Sequence, residues 1–321
     1  MSGKDYMSDK APNSKRNLDS AIDRILGRET NPLQARTLLA NTIIGQLLPK
    51  GAVKGGSALK LRYGEKATRF TRDLDTARNG TLDAFINELD AALHTGWNGF
   101  TGRIVIKESA KPKGIPDEYI MQPFEIKLSY NGKSWLTVPL EIGHDEIGDT
   151  DTPDYYISQD IVGYFRKLGF PDPKPIALMP IHHQIAQKLH ALSLNGSERA
   201  HDLIDLQVIS NNETIDFPLT KSVCRRLFNS RKRQSWPPVI KRNKRWDTLY
   251  DAHVEGLDVL QGVDEAILWA NELIKRIDGC DDPFYNTKNQ EEIQRRINEV
   301  ESGKAKMVYK TIDDLKAMAD D

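Results

Sequence analysis

The segment Lys54-Gly55-Gly56-Ser57, followed by Asp73-Leu74-Asp75, is the feature that most restricts what this chain can fold into. Two glycines ahead of Ala58-Leu59-Lys60-Leu61-Arg62-Tyr63 read as a strand, a tight turn and a helix, with Ser57 at an N-cap position. Free amides at such a helix start bind phosphate oxygens, and the Ser57 hydroxyl adds a donor. In a strand over 69–77, alternation places Asp73 and Asp75 on one face, with Phe70 and Leu74 on the other. Two neighbouring carboxylates suit a hard cation, Mg2+ or Mn2+, which keeps substrate phosphate in its shell. Taken singly, a Gly-Gly-Ser turn is only a turn and an Asp-x-Asp pair is only a solvated strand end. Their conjunction points to a nucleoside triphosphate with its metal ion, and so to phosphoryl chemistry.

The rest of the first half supplies a sheet. Helices are expected near 17–28 and 32–48, the second carrying Leu33, Leu38, Leu39, Ile43, Ile44 and Leu47 at helical intervals. A further helix is expected over 81–95. Period-two alternation then marks strands at 102–107, 122–130 and 134–142, the last two joined by the hairpin signal Asn131-Gly132. Leu136, Val138, Leu140 and Ile142 share one face of the final strand, which sends Glu141 to the other, where it becomes the candidate acid for a second metal ion. The sum is an α/β (α+β) mixed sheet with helices on one side.

From about residue 176 the strand pattern stops, and helices are expected near 181–194, 199–210, 219–230 and 263–277. Ile181, Ile185, Leu189 and Leu192 form an apolar arc with Lys188 at its edge. Asp202 and Asp205 lie on a helix that is apolar around nearly its whole circumference, so they need partners, and Lys188 and Arg199 are available. Two readings stay open: an ion pair that joins two helices, or a Lys188 ammonium on the triphosphate with Asp202 orienting it. His182, His183, His190 and His201 lack a zinc-ligand pattern and are expected at the surface. The domains expected are an unstructured lead over 1–16, a core over 17–175, a helical unit over 176–280 and a charged tail over 281–321.

These motifs, from Lys54-Gly-Gly-Ser through Arg69-Phe-Thr-Arg-Asp-Leu-Asp75 to Gln184-Ile-Ala-Gln-Lys188 and Arg199-Ala-His-Asp202-Leu-Ile-Asp205, resemble the AbiEii/AbiGii-type nucleotidyltransferase toxins of abortive-infection and toxin–antitoxin systems. The resemblance spans about residues 32 to 210. It implies a polymerase-beta-like nucleotidyltransferase core, a mostly helical C-terminal domain and an active site between them. It also implies catalytic acids at Asp73 and Asp75, a phosphate-turn serine at Ser57, a lysine at Lys188, a late aspartate at Asp202 and a cognate antitoxin as partner. Thr71 and Thr76 depart from the residues that family members often carry beside the carboxylates. Glu141 rests on strand phase alone.

Length and charge bound the remaining readings. The 321 residues suffice for a buried core and two domains, and a formal net charge of −1 leaves partners to be read from local charge. Cys224 and Cys280 are too few for a disulfide framework; with no long apolar run and no leader-like start, a cytoplasmic protein with no membrane contact is expected. Between Asp216 and Asp247 every charged residue is basic, including Arg231, Lys232, Arg233, Lys241 and Arg242, with Trp236 and Trp246 interleaved. Such a stripe attracts phosphate backbones and offers rings for stacking. The favoured expectation is metal-dependent transfer of a nucleoside monophosphate from a triphosphate to an RNA hydroxyl, a transfer-RNA 3′ end among the candidates. The alternatives are transfer to a protein or small molecule, and a catalytically silent nucleotide- or antitoxin-binding module.

Overall fold

In the computed structural model, residues 10–27, 31–107, 122–281 and 287–304 are described. The remainder, including 1–9 of the expected lead and most of the tail beyond 304, lies outside the described residues. Helix α1 (Lys15–Ile25) begins within the stretch expected to be an unstructured lead, because the Ser14 hydroxyl accepts from the Asn17 amide and closes its first turn. Helix α2 (Pro32–Leu47) follows, with Asn31 capping and proline at N1.

A seven-stranded mixed sheet forms the centre. Its strands are β1 (Gly51–Lys54), β2 (Leu74–Arg78), β3 (Phe100–Ile106), β4 (Gln122–Tyr130), β5 (Lys133–His144), β6 (Asp154–Tyr156) and β7 (Ile176–Leu178), in the spatial order β3-β4-β5-β2-β1-β7-β6. Asn131 and Gly132 both take positive φ, the geometry of the two-residue turn expected between β4 and β5. Helix α3 (Gly55–Tyr63) leaves β1 directly, α4 (Leu82–Thr95) joins β2 to β3, and α5 (Gln159–Lys167) joins β6 to β7.

One face of the sheet is apolar. Leu74, Phe124, Ile126, Leu128, Val138, Leu140 and Ile142 pack with α1, α2, α4 and α5 into one core. The opposite face of β1, β2 and β7 carries only the small cluster Ala52, Ala77 and Met179, so it is left for polar side chains. A second core is built from α6 (Ile181–Leu192), α7 (His201–Asn212), α8 (Phe217–Arg231), α9 (Trp246–Val254) and α10 (Val263–Asp278), with Leu59 of α3 embedded in it. The last described element is α11 (Thr287–Glu301).

Three strand expectations change. The strand expected over 69–77 starts only at Leu74, so Asp73 stands in the loop ahead of it. Strand β7 continues the sheet past 176, pairing Leu178 in parallel with Val53. Strand β6 was not marked by the sequence, since three residues are too short for a period to register.

Candidate active site

The β1–α3 turn follows from its glycines. Gly55 has φ of +65°, and a Cβ there would stand 2.4 Å from the Asp75 Oδ2, so only glycine lets the carboxylate lie against the backbone. Lys54, not Ser57, occupies the N-cap position. Ser57 is inside the first turn and buried, and its hydroxyl donates to the Asp73 carbonyl at 2.5 Å. It therefore fixes the loop carrying the first aspartate, with its proton committed there. Gly56 is buried behind the turn, where a Cβ would meet Arg69 at 3.1 Å and Thr71 at 3.3 Å.

Lys54, Asp75 and Glu141 form a row across three strands. Lys54 pairs with Asp75 between antiparallel β1 and β2, and Asp75 pairs with Glu141 between parallel β2 and β5, so the three side chains share the polar face. Burial, joined by repulsion from Asp73, raises the Asp75 carboxyl above its ordinary range. Burial and then the charges of Asp75 and Asp73 raise Glu141 in the same way, with Lys54 and Arg199 opposing. The Lys54 ammonium extends over β5, and a Cβ on Gly143 would lie 3.0 Å from it. Among the described residues no three His, Cys, Asp or Glu side chains are drawn together tightly enough to cage an ion. The donor set is nonetheless all oxygen, and its like charges crowd one another, which is the chemistry that accepts Mg2+ or Mn2+; Asp75 and Glu141, with exposed Asp73 beside them, are the residues that would hold it.

The other wall comes from the helices. A cleft of about 170 Å³ is lined by Lys54, Gly55 and Asp75 from the sheet side and by Gln184, Gln187, Lys188, Ala191, Arg199 and Arg231 from the helical side. Lys188 donates to Asp202 at 2.9 Å and to Asp205 at 2.6 Å; Arg199 Nε donates to Asp202 at 2.8 Å. Arg69 grips Asp205 with two 2.9 Å bonds, which ties the loop before β2 to α7. Burial would push Asp202 and Asp205 up, but Lys188 and Arg199 around the first, and Arg69 and Lys188 around the second, hold both well below the usual carboxylate range. Both readings of Lys188 meet here: it is an interhelical ion pair, and it also borders the cleft. Asp202 is fully buried and reaches the cleft only through Lys188 and Arg199.

The basic stripe is broken up by tertiary contacts. Arg231 lies in the cleft rather than on an outer surface, bound to Glu146 by two bonds of 2.7 and 2.6 Å and donating to His190 Nδ1 at 3.1 Å. Arg242 is paired with Asp247 and, at 2.7 Å, with Asp264. Trp246, expected as a stacking platform, is fully buried and donates its indole N–H to the Ser197 carbonyl, while Trp236 donates to Asp278. Exposed Lys232, Arg233, Lys241 and Lys244 have no acidic partner among the described residues. His183 and His190, expected at the surface, are buried, and burial lowers each to a pKa of about 4. Sequence reasoning missed Arg69, Glu146 and Gln187 as parts of the site, since each acts through a neighbour far away in the chain. Only the place of Arg69 within the segment leading to Asp73 could have flagged it.

No helix among the described residues is long and apolar enough to cross a membrane. No curated protein matches the sequence. Among solved structures, MenT4, a nucleotidyltransferase toxin from Mycobacterium tuberculosis H37Rv, superposes with a TM-score of 0.53 at 16% identity, covering 86% of this chain and 97% of that one. A nucleotidyltransferase-like protein from H. pylori gives 0.42 at 17% identity, covering 75% and 92%. JHP933 from Helicobacter pylori gives 0.41 at 18%, covering 83% and 96%. The first of these supports the fold. The family model of the nucleotidyl transferase AbiEii toxin, type IV toxin–antitoxin system, matches residues 11–279, and the chain belongs to that family of nucleotidyltransferases.

Proposed function

We propose that the cleft binds the triphosphate of a nucleoside triphosphate and transfers its nucleoside monophosphate to an RNA hydroxyl, a transfer-RNA 3′ end being the acceptor class of first choice. The observation that carries this reading is the lining of one cleft by Lys54, Lys188, Arg199 and Arg231 around Asp75, with Gly55, the first residue of α3, beside them. Carboxylates hold three of these cations in place, Lys188 and Arg199 through Asp202 and Arg231 through Glu146, and fixed cationic donors around one cavity suit the oxygens of a triphosphate tail at a helix start.

The acceptor oxygen would attack the α-phosphorus, the bond from that phosphorus to the bridging oxygen would break, and pyrophosphate would leave carrying the electron pair. The hydroxyl proton would pass to a carboxylate of the Asp73, Asp75 and Glu141 group. A divalent ion on these carboxylates supplies charge neutralisation at the transferring phosphoryl. The residues of the chain do the positioning: Lys54 and Arg199 offset the acids, Lys188 holds its place through Asp202 and Asp205, and Arg231 meets the distal phosphates instead of RNA. Exposed Lys232, Arg233, Lys241 and Lys244 would attract the acceptor backbone. A cognate antitoxin and a cytoplasmic setting complete the reading.

The test is incubation of purified protein with each radiolabelled triphosphate and total cellular RNA. Labelled RNA with the wild type and none with Asp73→Ala or Asp75→Ala is the expected result. Label carried by protein or small molecules alone would move the acceptor to another class, and undiminished labelling by Asp75→Ala would overturn the site.

A further inference from the structure

The loop between β5 and β6 reaches across to the helical wall of the cleft. It is held in one shape by its own side chains: Asp145 accepts from the Gly148 amide at 2.8 Å and from the Thr150 amide at 3.1 Å, and Asp149 accepts from the Glu146 amide at 3.0 Å. Ile147 takes φ of +59°, a conformation that costs a β-branched residue free energy and persists only where the surroundings over-determine it. Arg226 supplies one such contact, donating to the Ile147 carbonyl at 2.5 Å. The loop delivers two carboxylates, Glu146 to Arg231 and Asp149 to Gln187, and both recipients line the cleft.

Asp149 is buried, and its second oxygen accepts from the Gln187 side-chain nitrogen at 2.9 Å. That bond decides which way the amide faces. The nitrogen is committed to the carboxylate, so the carbonyl oxygen is the atom left over, and it meets no donor among the described residues. It differs in this from the Gln184 oxygen, which is unpaired but sealed from solvent. Gln187 is half-buried in the cleft wall, and Ala191, one turn further along α6, leaves space beside it. The cations of the cleft all offer donors; Gln187 offers an acceptor. A phosphate oxygen, itself an acceptor once ionised, has no use for it, so the Gln187 oxygen calls for a ligand O–H or N–H.

The cleft's volume of about 170 Å³ is less than the roughly 300 Å³ at which pockets begin to enclose whole small-molecule ligands. The phosphates and the sugar joined to them fill such a space, and the base lies at its mouth. We infer that Gln187 accepts from a ribose hydroxyl of the nucleoside triphosphate, with Asp149 as its positioning residue, and so discriminates against sugars that lack that hydroxyl. The inference rests on the cleft being a triphosphate site, and it adds the contact that reads the sugar.

The experiment is isothermal titration of the full chain with each of the four ribonucleoside triphosphates and its 2′-deoxy and 3′-deoxy counterparts, with Mg2+ at pH 8, beside transfer kinetics on total cellular RNA. That pH is above the value of about 7 to which burial lifts Asp149, so its oxygens only accept. The wild type should bind one of the two deoxy series about tenfold or more weaker, since the analogue leaves the Gln187 oxygen unpaired. Gln187→Met, close in shape but without the acceptor, should bring the ribo and deoxy values together by weakening the ribo series alone. Asp149→Asn, which lets the amide turn over, should reduce the same ratio, and a loss of stability alone does not move a ratio. Equal binding of all three series by the wild type, or a wild-type ratio in Gln187→Met, would overturn the contact and leave any RNA labelling to stand by itself. A changed ranking of the four bases with an unchanged sugar ratio would also overturn it, in favour of the base. A ratio seen in titration and lost in Gln187→Met, without transfer to RNA, would keep the contact and sink the transfer reading. No binding of any triphosphate would sink both.

Discussion

Asp75 and Glu141 occupy the same register on adjacent parallel strands, so two carboxylates far apart in the chain are held side by side on the polar face of the sheet. Burial raises both above their ordinary range, helped at Asp75 by the charge of Asp73 and at Glu141 by the charges of Asp75 and Asp73, with Lys54 and Arg199 as the opposing charges. A buried pair of like charges is a cost in the free protein, and it persists where a cation or a proton repays it on binding.

Glu141→Gln should therefore separate stability from activity. Removing one of two crowded charges should leave the melting temperature equal or higher, while nucleotidyl transfer falls by roughly a hundredfold or more. Thermal unfolding and transfer kinetics on one preparation check it; loss of both together would mean that Glu141 serves the fold.

Lys188→Ala should cost about 3–5 kcal/mol in urea unfolding, because Asp202 and Asp205 would be left buried and short of a partner. Both carboxyls are held below their ordinary value of 3.8. A depressed folded value means that the contribution is fully present above 3.8 and is lost only as pH falls through the folded values, so the difference between variant and wild type should be flat from neutral pH down to about pH 5.

Gly55→Ala places a methyl group against Asp75 Oδ2 in a backbone conformation with positive φ. The cost should be about 1–3 kcal/mol in stability, accompanied by loss of triphosphate binding in isothermal titration. Gly80→Ala, at another positive φ but with nothing near its Cβ, is the control for backbone strain alone.

Arg231→Ala should raise KM for the triphosphate about tenfold and leave oligonucleotide binding close to wild type, because Arg231 lines the cleft. Glu146→Gln, which loosens the bidentate grip on Arg231, should shift that KM the opposite way. A fall in RNA affinity with unchanged triphosphate KM would return Arg231 to the RNA surface.

Asp149 adds a pH signature. Burial, with Asp145 and Glu146 nearby, pushes its carboxyl up to about 7 against the hydrogen bond from the Glu146 amide and the charge of Lys54. A raised folded value means the native state holds the proton that the unfolded chain gives up near 3.8, so this contribution to stability is complete below that and declines as pH rises towards about 7. Denaturation at intervals from pH 5 to 8 should show the decline in wild type, with a flatter profile in Asp149→Asn.

What the sequence by itself determined is whatever neighbouring residues encode. The Gly55-Gly56 turn, the alternation of β4 and β5, the Asn131-Gly132 hairpin and the helical arcs of α2 and α6 are local patterns, and each forms where its period places it. Strand phase also put Glu141 on the polar face, although its pairing with Asp75 required β2 and β5 to meet in parallel. Tertiary structure alone decided the rest. Three-residue β6 and β7 exist because neighbouring strands accept their hydrogen bonds, too short a run to show a period of its own. The basic stripe was thinned, with Lys232, Arg233, Lys241 and Lys244 left exposed, because Asp264 and Glu146 arrive from other elements to meet Arg242 and Arg231, and Trp246 was drawn into the second core. Charge along a chain is read residue by residue, but the counterion of a folded side chain is chosen by packing, and packing joins segments that the sequence keeps far apart.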